Sequence, residues 1–160
     1  MPKTIPCPFK IIVDTREQKP WKFEGLTKRV RGEDRPIEVE TVRRKLESGD
    51  YSIEGMENQI AIERKSASDL ISTVFHGRDR FVRELERLSQ LKWAAVVVEG
   101  EWESTLQKCA RETKANPVSL DSSIIAWQLR YSVHFVWRPQ RWMAEKTAFK
   151  ILDRYWRDNE

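Results

Sequence analysis

Asp50 follows Gly49, and thirteen residues later Glu63-Arg64-Lys65 closes the apolar run Ile60-Ala61-Ile62. Read as two adjacent strands joined by a loop, residues 49–53 and 60–65, this spacing brings two carboxylates and an ammonium to one edge of a sheet. Two hard oxygen ligands beside a lysine are the donor set of a divalent-metal centre that cleaves phosphodiesters. The carboxylates hold the cation, which activates water and neutralises charge on the phosphorane; the lysine stabilises what the cation does not reach. Such a pattern is common in charged chains. An exposed hairpin with a solvated Glu-Arg-Lys tip accounts for the spacing alone equally well.

The flanking residues add to it. Upstream, Ile11-Ile12-Val13 is an apolar, β-branched run that ends abruptly in Asp14-Thr15-Arg16-Glu17. A carboxylate at such a strand end is costly to half-bury without a cation. Downstream, Ser66-Ala67-Ser68-Asp69-Leu70 reads as a helix start, with a serine cap and an acid in the first turn.

The elements that must position these groups are legible from periodicity. Phe9 to Asp14 reads as a first strand, and residues 15–35 as a loop or short helix tucked down by Trp21 and Phe23. The alternation over Ile37 to Val42 predicts a half-exposed strand. Apolar residues recur at helical spacing over residues 68–91, with a break near Gly77. In the second piece Arg80, Arg83 and Arg87 share a face. Residues 94–98 read as a buried strand, 102–110 as a helix ended by Asn116-Pro117, 119–131 as a helix and 133–137 as a last strand. Pro139 opens a terminal helix to about Trp156. Strands alternating with helices predict an α/β fold, a central mixed β-sheet flanked by helices on both faces.

Composition narrows the setting. The 160 residues suffice for one domain with its own core, to which 39% hydrophobic residues and seven tryptophans contribute, while 34% are charged. No apolar stretch approaches the roughly 18 to 20 residues needed to span a bilayer, and residues 1–10 do not read as a secretory leader. Two cysteines and two histidines argue against a disulfide scaffold or a structural zinc site, so an intracellular, reducing setting is expected. The net charge of +4 is compatible with nucleic-acid binding through a local patch, since the chain has no basic tail.

In order, Val13-Asp14-x-Arg16-Glu17, Gly49-Asp50-Tyr51 and Glu63-Arg64-Lys65-x3-Asp69-Leu70 resemble the nuclease domain of the XPF family of structure-specific endonucleases. The family hallmark, Gly-Asp-x(n)-Glu-Arg-Lys-x3-Asp, is complete here as Gly49, Asp50, Glu63, Arg64, Lys65 and Asp69. The resemblance implies a restriction-endonuclease-like nuclease core over residues 9–157, with residues 1–8 as an N-terminal extension. It also implies an endonuclease dependent on Mg²⁺ or Mn²⁺ acting on DNA, with branched or flap DNA in repair or recombination as the family's substrates. Its catalytic residues would be Asp50, Glu63, Lys65, Asp14, Glu17 and Arg64, with Asp14, Glu17, Asp50 and Glu63 as metal ligands.

Arg16, Arg78, Arg80 and Arg83 are candidates for DNA contacts. The rival for the last three is an ordinary salt-bridged helix face with Asp79, Glu84 and Glu86, and for Arg16 an ion pair within its loop. Strand period two turns Arg64 away from Lys65, toward phosphate or an acidic neighbour. Asp69 reads equally as a helix-start charge holding Arg64 or Lys65, and His76 is a weaker candidate for a proton donor. The family's nuclease domains pair through the region of residues 119–156. The aromatics there, among them Trp127, Trp137 and Trp142, would serve a homodimer or fill the core. No small-molecule cofactor and no membrane partner are expected, and the place of action would be the cytoplasm or nucleoid.

Two departures from the better-known members stand out. The chain is expected to carry neither their tandem helix-hairpin-helix module nor a helicase portion, and Gly77-Arg78-Asp79-Arg80-Phe81 is slightly longer than the eukaryotic form. The short build is similar to stand-alone bacterial and phage nuclease domains. Two other functions compete: a non-catalytic DNA-binding or dimerisation subunit, and a nuclease of the same fold directed at RNA.

Overall fold

Ile11, Ile12 and Val13 are buried in succession, as in a strand covered on both faces. In the computed structural model, which describes residues 2–113 and 116–160, this run closes β1 (Ile5–Val13) in the interior of a seven-stranded sheet. The other strands are β2 (Thr27–Val30), β3 (Glu33–Arg43), β4 (Tyr51–Ile53), β5 (Ile60–Ser66), β6 (Trp93–Glu99) and β7 (His134–Arg138). Their order is β2-β3-β1-β4-β5-β6-β7. β1 runs parallel to β3, and β5, β6 and β7 are parallel to one another; the β2–β3, β1–β4 and β4–β5 pairs are antiparallel. The sheet is therefore mixed.

Helices α1 (Ala67–Phe75), α2 (Arg78–Leu88), α3 (Trp102–Glu112) and α4 (Pro117–Tyr131) cover one face, and α5 (Arg141–Asn159) with the Trp21–Phe23 segment covers the other. Alternation along the strands sorts the two cores. Ala61, Val96 and Val98 pack beneath α1 to α4, whereas Ile60, Ile62 and Val97 pack against the α5 side. Continued along β5, the same alternation sends Glu63 and Lys65 toward α1 and α2, and Arg64 toward α5.

The helix break near Gly77 is present: α1 ends at its cap His76 and α2 starts after Gly77. Three details differ from the sequence expectation. β1 begins at Ile5, so part of the supposed N-terminal extension pairs with β3 through Ile5 and Ile37. Residues 15–35 contain a strand, β2, which forms a hairpin with β3. Its two-residue turn, Arg31-Gly32, has both φ values positive (50° and 84°), as a type I′ turn requires. An arginine in such a turn is an unusual choice and hides the signal. Asn116-Pro117 does not end a helix but starts one, since the Asn116 side chain accepts the Val118 amide and proline occupies the first turn. The helices flank both faces as expected, four on one and one on the other among the described residues. Among the described residues no helix is long and apolar enough to cross a membrane.

Candidate active site

Where β1 leaves the sheet and β4 enters it, the backbone itself builds the site. The Asp14 amide donates to the Asp50 carbonyl (2.8 Å), and the Asp50 amide donates to the Ile62 carbonyl (2.8 Å). Gly49 takes φ +74°, and a Cβ there would stand 3.0 Å from Ala61 Cβ and 3.1 Å from the Ile62 carbonyl oxygen. Glycine is required on both counts. The tight approach presses Asp50 against β5, where its Oδ2 accepts the Arg64 amide at 2.8 Å.

Asp50, Glu63 and Lys65 then line one cleft of about 420 Å³, roofed by α1 and α2. Lys65 Nζ is steadied by Thr73 Oγ1 (3.2 Å) and by the Phe81 ring, whose centroid lies 5.0 Å away. Burial, together with the neighbouring Glu17, Asp14 and Glu84 charges, pushes the Asp50 carboxyl up to about 6 against the relief of the Arg64 amide. Burial also raises Glu63 well above the usual carboxylate range; Asp50 and Glu84 add to the rise and Lys65 opposes it. Four carboxylates and four cationic side chains line the cleft, but Arg16 is bound to Asp14 and Arg87 to Glu84, and among the described residues Asp50 and Glu63 are in no ion pair. A larger hollow of about 790 Å³ between β1, β3 and Trp156 also carries carboxylates, Glu38, Glu40 and Glu54, but Glu40 is paired with Lys10 and Glu54 with Arg44.

The remaining expected residues divide by location. Asp14 forms part of the cleft wall, but its oxygens are taken by the Leu46 amide (2.7 Å) and by Arg16 Nε (2.8 Å). Burial would raise its pKa, yet these hydrogen bonds outweigh burial and hold it below the usual carboxylate value. Glu17 is turned away from the cleft. Four residues past the end of β1, it meets Arg64 Nη1 (3.2 Å) and the Tyr51 hydroxyl (3.4 Å) on the α5 side of the sheet. The four carboxylates expected around one metal therefore do not all converge.

Arg64 is likewise on that side, where its Nε pairs with Glu99, its Nη1 donates to the Lys19 carbonyl (2.7 Å), and its guanidinium lies 5.6 Å from the Trp21 ring centroid. Arg141 and Trp21 Nε1 reach the same Glu99. This latch ties the site strand to the loop after β1 and to α5.

Of the arginines, Arg16 and Arg80 line the cleft, Arg83 is exposed on α2 beyond its lining, and Arg78 packs over Trp127 (5.0 Å) and donates to Ser123 Oγ (2.8 Å). Asp69 is exposed in the first turn of α1 and, among the described residues, pairs with neither Arg64 nor Lys65. His76 lines a separate groove between α1 and α3. Two residues that the sequence reading assigned no place in the site, Glu84 and Arg87, join the cleft from α2. Helical geometry puts Glu84 only about 40° round from Arg80, against about 60° for Arg83. That arithmetic was the available signal.

Among the described residues, no three carboxylate, imidazole or thiol groups stand together as a complete ligand set. A hard divalent cation does not need one, because Mg²⁺ is commonly held by one or two carboxylates plus waters and phosphate oxygens. Asp50 Oδ1 and both Glu63 oxygens accept no hydrogen bond from the described residues, so the donors present fit such an ion.

The mixed sheet carries the glycine-bound aspartate and the Glu-x-Lys strand on a nuclease-type fold, and the family comparison agrees on that fold. A model of the ERCC4 domain family matches residues 13–141, so the chain belongs to that family, a DNA nuclease family. Among solved structures it is similar to XPF from Aeropyrum pernix, with 22% identity and TM-score 0.61 over 91% of this chain and 60% of that one. XPF from Aeropyrum pernix in complex with DNA gives 22% identity and TM-score 0.63 over 94% and 66%. At this identity the likeness speaks for the fold, and the chain spans under two thirds of either structure's length. No curated protein matches the sequence.

Proposed function

We propose that this chain is a divalent-metal-dependent DNA endonuclease. The observation that carries it is the convergence of Asp50, Glu63 and Lys65 in one cleft, with carboxylate oxygens that have no donor among the described residues. Asp50 and Glu63 would hold Mg²⁺ or Mn²⁺, which supplies an activated water and neutralises charge at the phosphate. Lys65, fixed by Thr73 and Phe81, stabilises negative charge on the phosphorane or on the attacking oxygen. Arg80, at the cleft, and Arg83, beyond it on α2, contact the DNA backbone. Asp14 acts through position, its hydrogen bonds holding the turn behind Asp50. The intact carboxylates disfavour a non-catalytic subunit, and a similar structure being of an XPF in complex with DNA supports DNA over RNA. The place of action follows the substrate, the cytoplasm or nucleoid.

Linear, flap, splayed and four-way DNAs incubated with Mg²⁺, Mn²⁺ or a chelator test this directly. Cleavage with either ion and none with chelator is expected, flap or branched substrates being preferred; cleavage in chelator would end the metal assignment. A second expected result concerns α2. Neutralising Arg80 and Arg83 together should weaken binding equally for all sequences and lower the salt slope by roughly one to two units. An unchanged slope moves the DNA track elsewhere, to Arg43, Arg44 and Lys45 first.

The proposal includes a homodimer, though not through the aromatic residues. Trp127 and Phe149 are buried, Trp137 packs on Trp102 and Trp156 on Phe9, leaving Trp142 exposed. The unpartnered apolar surface is instead a stripe on α4 of Val118, Ile125 and Leu129, 66%, 50% and 80% exposed, beside the free edge of β7. Seven- and four-residue spacing aligns the three on one helix face, and large apolar side chains so exposed mark an interaction surface. Sedimentation equilibrium at micromolar concentration should give twice 19.0 kDa for the natural chain and one chain's mass for Ile125→Glu with Leu129→Glu. A single-chain mass for the natural protein, on DNA and off it, would remove the dimer.

A further inference from the structure

From sequence Glu84 belongs to a candidate salt-bridged helix face, and it does pair with Arg87, yet its side chain is only 17% exposed and its Oε1 accepts the amide of Gly49 at 2.6 Å. Gly49 is buried and lies outside the strand ladder, which begins at Tyr51, while the next amide, that of Asp50, is taken by Ile62. Without Glu84, the Gly49 N–H would be a buried donor with no acceptor at the point where the chain bends with positive φ. The second oxygen of Glu84 is held by Arg87, one turn along α2. The carboxylate is therefore oriented from one side by its own helix and grips the Gly-Asp turn on the other.

We infer that Glu84 is a positioning residue: through the Gly49 amide it sets the direction of the Asp50 carboxylate and registers α2 against the metal-binding strand pair. The helix face that does this is shared. Arg80, Glu84 and Arg87 recur at i, i+4 and i+7 and all line the cleft. A phosphate drawn to the arginines of α2 is thereby placed at a fixed offset from Asp50, because the residue between them in the helix is anchored to the neighbouring amide. Glu84 is not the residue that touches the reacting atoms; its effect passes through Gly49.

Resting on the site proposed above, this inference is tested by Mn²⁺ affinity, measured calorimetrically without substrate, alongside kcat and KM. Glu84→Leu keeps volume and helix propensity but removes the acceptor, and Glu84→Ala is the second such variant should the first not fold. Either is expected to weaken Mn²⁺ binding and lower kcat by about 10- to 100-fold, the range for residues that orient a ligand, with KM for DNA unchanged. Glu84→Gln still offers an oxygen to the Gly49 amide and should recover both to within about 3-fold, because the hydrogen bond and not the charge is what positions Asp50. Mn²⁺ affinity lost equally in Glu84→Gln would overturn the inference in favour of a charge acting directly, and natural affinity in both Leu and Ala variants would overturn it outright. Asp50→Asn is the control: natural Mn²⁺ affinity there would sink the metal site itself, and the role of Glu84 with it.

Discussion

Asp50→Asn should abolish cleavage and, at neutral pH without metal, make the protein more stable than the natural chain. Loss of a cation ligand is expected to lower kcat by at least about 100-fold, since even residues that merely orient ligands cost 10- to 100-fold. DNA affinity should hold, because the arginines of α2 remain.

The stability gain follows from the Asp50 carboxyl, raised from 3.8 to about 6 by burial, with neighbouring carboxylates adding to the rise. A carboxylic acid whose pKa rises on folding binds its proton more tightly in the folded state. Its influence is neutral below about pH 4; stability then falls as the pH climbs toward about 6, and the full penalty applies above that. At about 1.4 kcal/mol per unit, the cost at pH 7 is of order 1–3 kcal/mol. Asparagine keeps an oxygen for the Arg64 amide, removes that penalty and takes one negative charge away from Glu63. Denaturant unfolding at pH 4.5 and pH 7.5 with chelator, then with Mn²⁺, checks the set: the natural chain should lose stability between the two pH values and regain it with Mn²⁺, while Asp50→Asn should lose less, the buried Glu63 still resisting ionisation, and regain little with Mn²⁺. A variant less stable than the natural chain at pH 7.5 would refute the electrostatic account.

Arg64→Ala and Lys65→Ala, neighbours in sequence, should fail in opposite ways. Arg64 is 16% exposed and bridges Glu99 and Glu17, themselves 15% and 13% exposed, while lying over Trp21. Removing it strands two carboxylates in a poorly solvated layer, a change worth about 3–5 kcal/mol when one partner of a buried pair is deleted. Arg141 stands 3.7 Å from Glu99 and offsets part of this, so the lower end of that range is expected. The loop after β1 should loosen with it, exposing Trp21 and Phe23, now 1% exposed each. Lys65→Ala deletes a side chain that faces the cleft, with one hydrogen bond and one ring contact; stability should change by no more than about 1 kcal/mol. Its cleavage rate should nonetheless fall by about 100-fold or more, on the scale of removing a charge-stabilising donor. Guanidinium unfolding midpoints and single-turnover cleavage, measured on both variants, separate the cases. If Arg64→Ala unfolds at the natural midpoint but cannot cut, Arg64 acts on the substrate and not as a latch.

The contrast marks how far local sequence reaches. The order of strands and helices, the break at Gly77, and the opposite directions of Arg64 and Lys65 were all legible in the chain. Period two and period 3.6 are short-range properties that each segment displays by itself. Asp50 and Glu63 were legible as a pair for the same reason: a hairpin of two short strands brings them together with little help from the rest of the molecule. The β2 strand was not, because its turn uses Arg31-Gly32 where local rules look for Asn-Gly.

Partnership across the fold lay beyond any local rule. That Glu84 reaches back 35 residues to the Gly49 amide depends on the angle at which α2 docks on the sheet. That Glu17 faces Arg64 and not the cleft depends on the path of the loop held down by Trp21 and Phe23 on the α5 side. Arg78 belongs to Trp127 and Ser123 because α4 packs beside α2. Composition and spacing determined which chemical groups the chain owns and which short elements carry them. Only the packing of distant elements decided which of those groups share a cleft, since charge, burial and hydrogen-bond satisfaction are properties of neighbours in space.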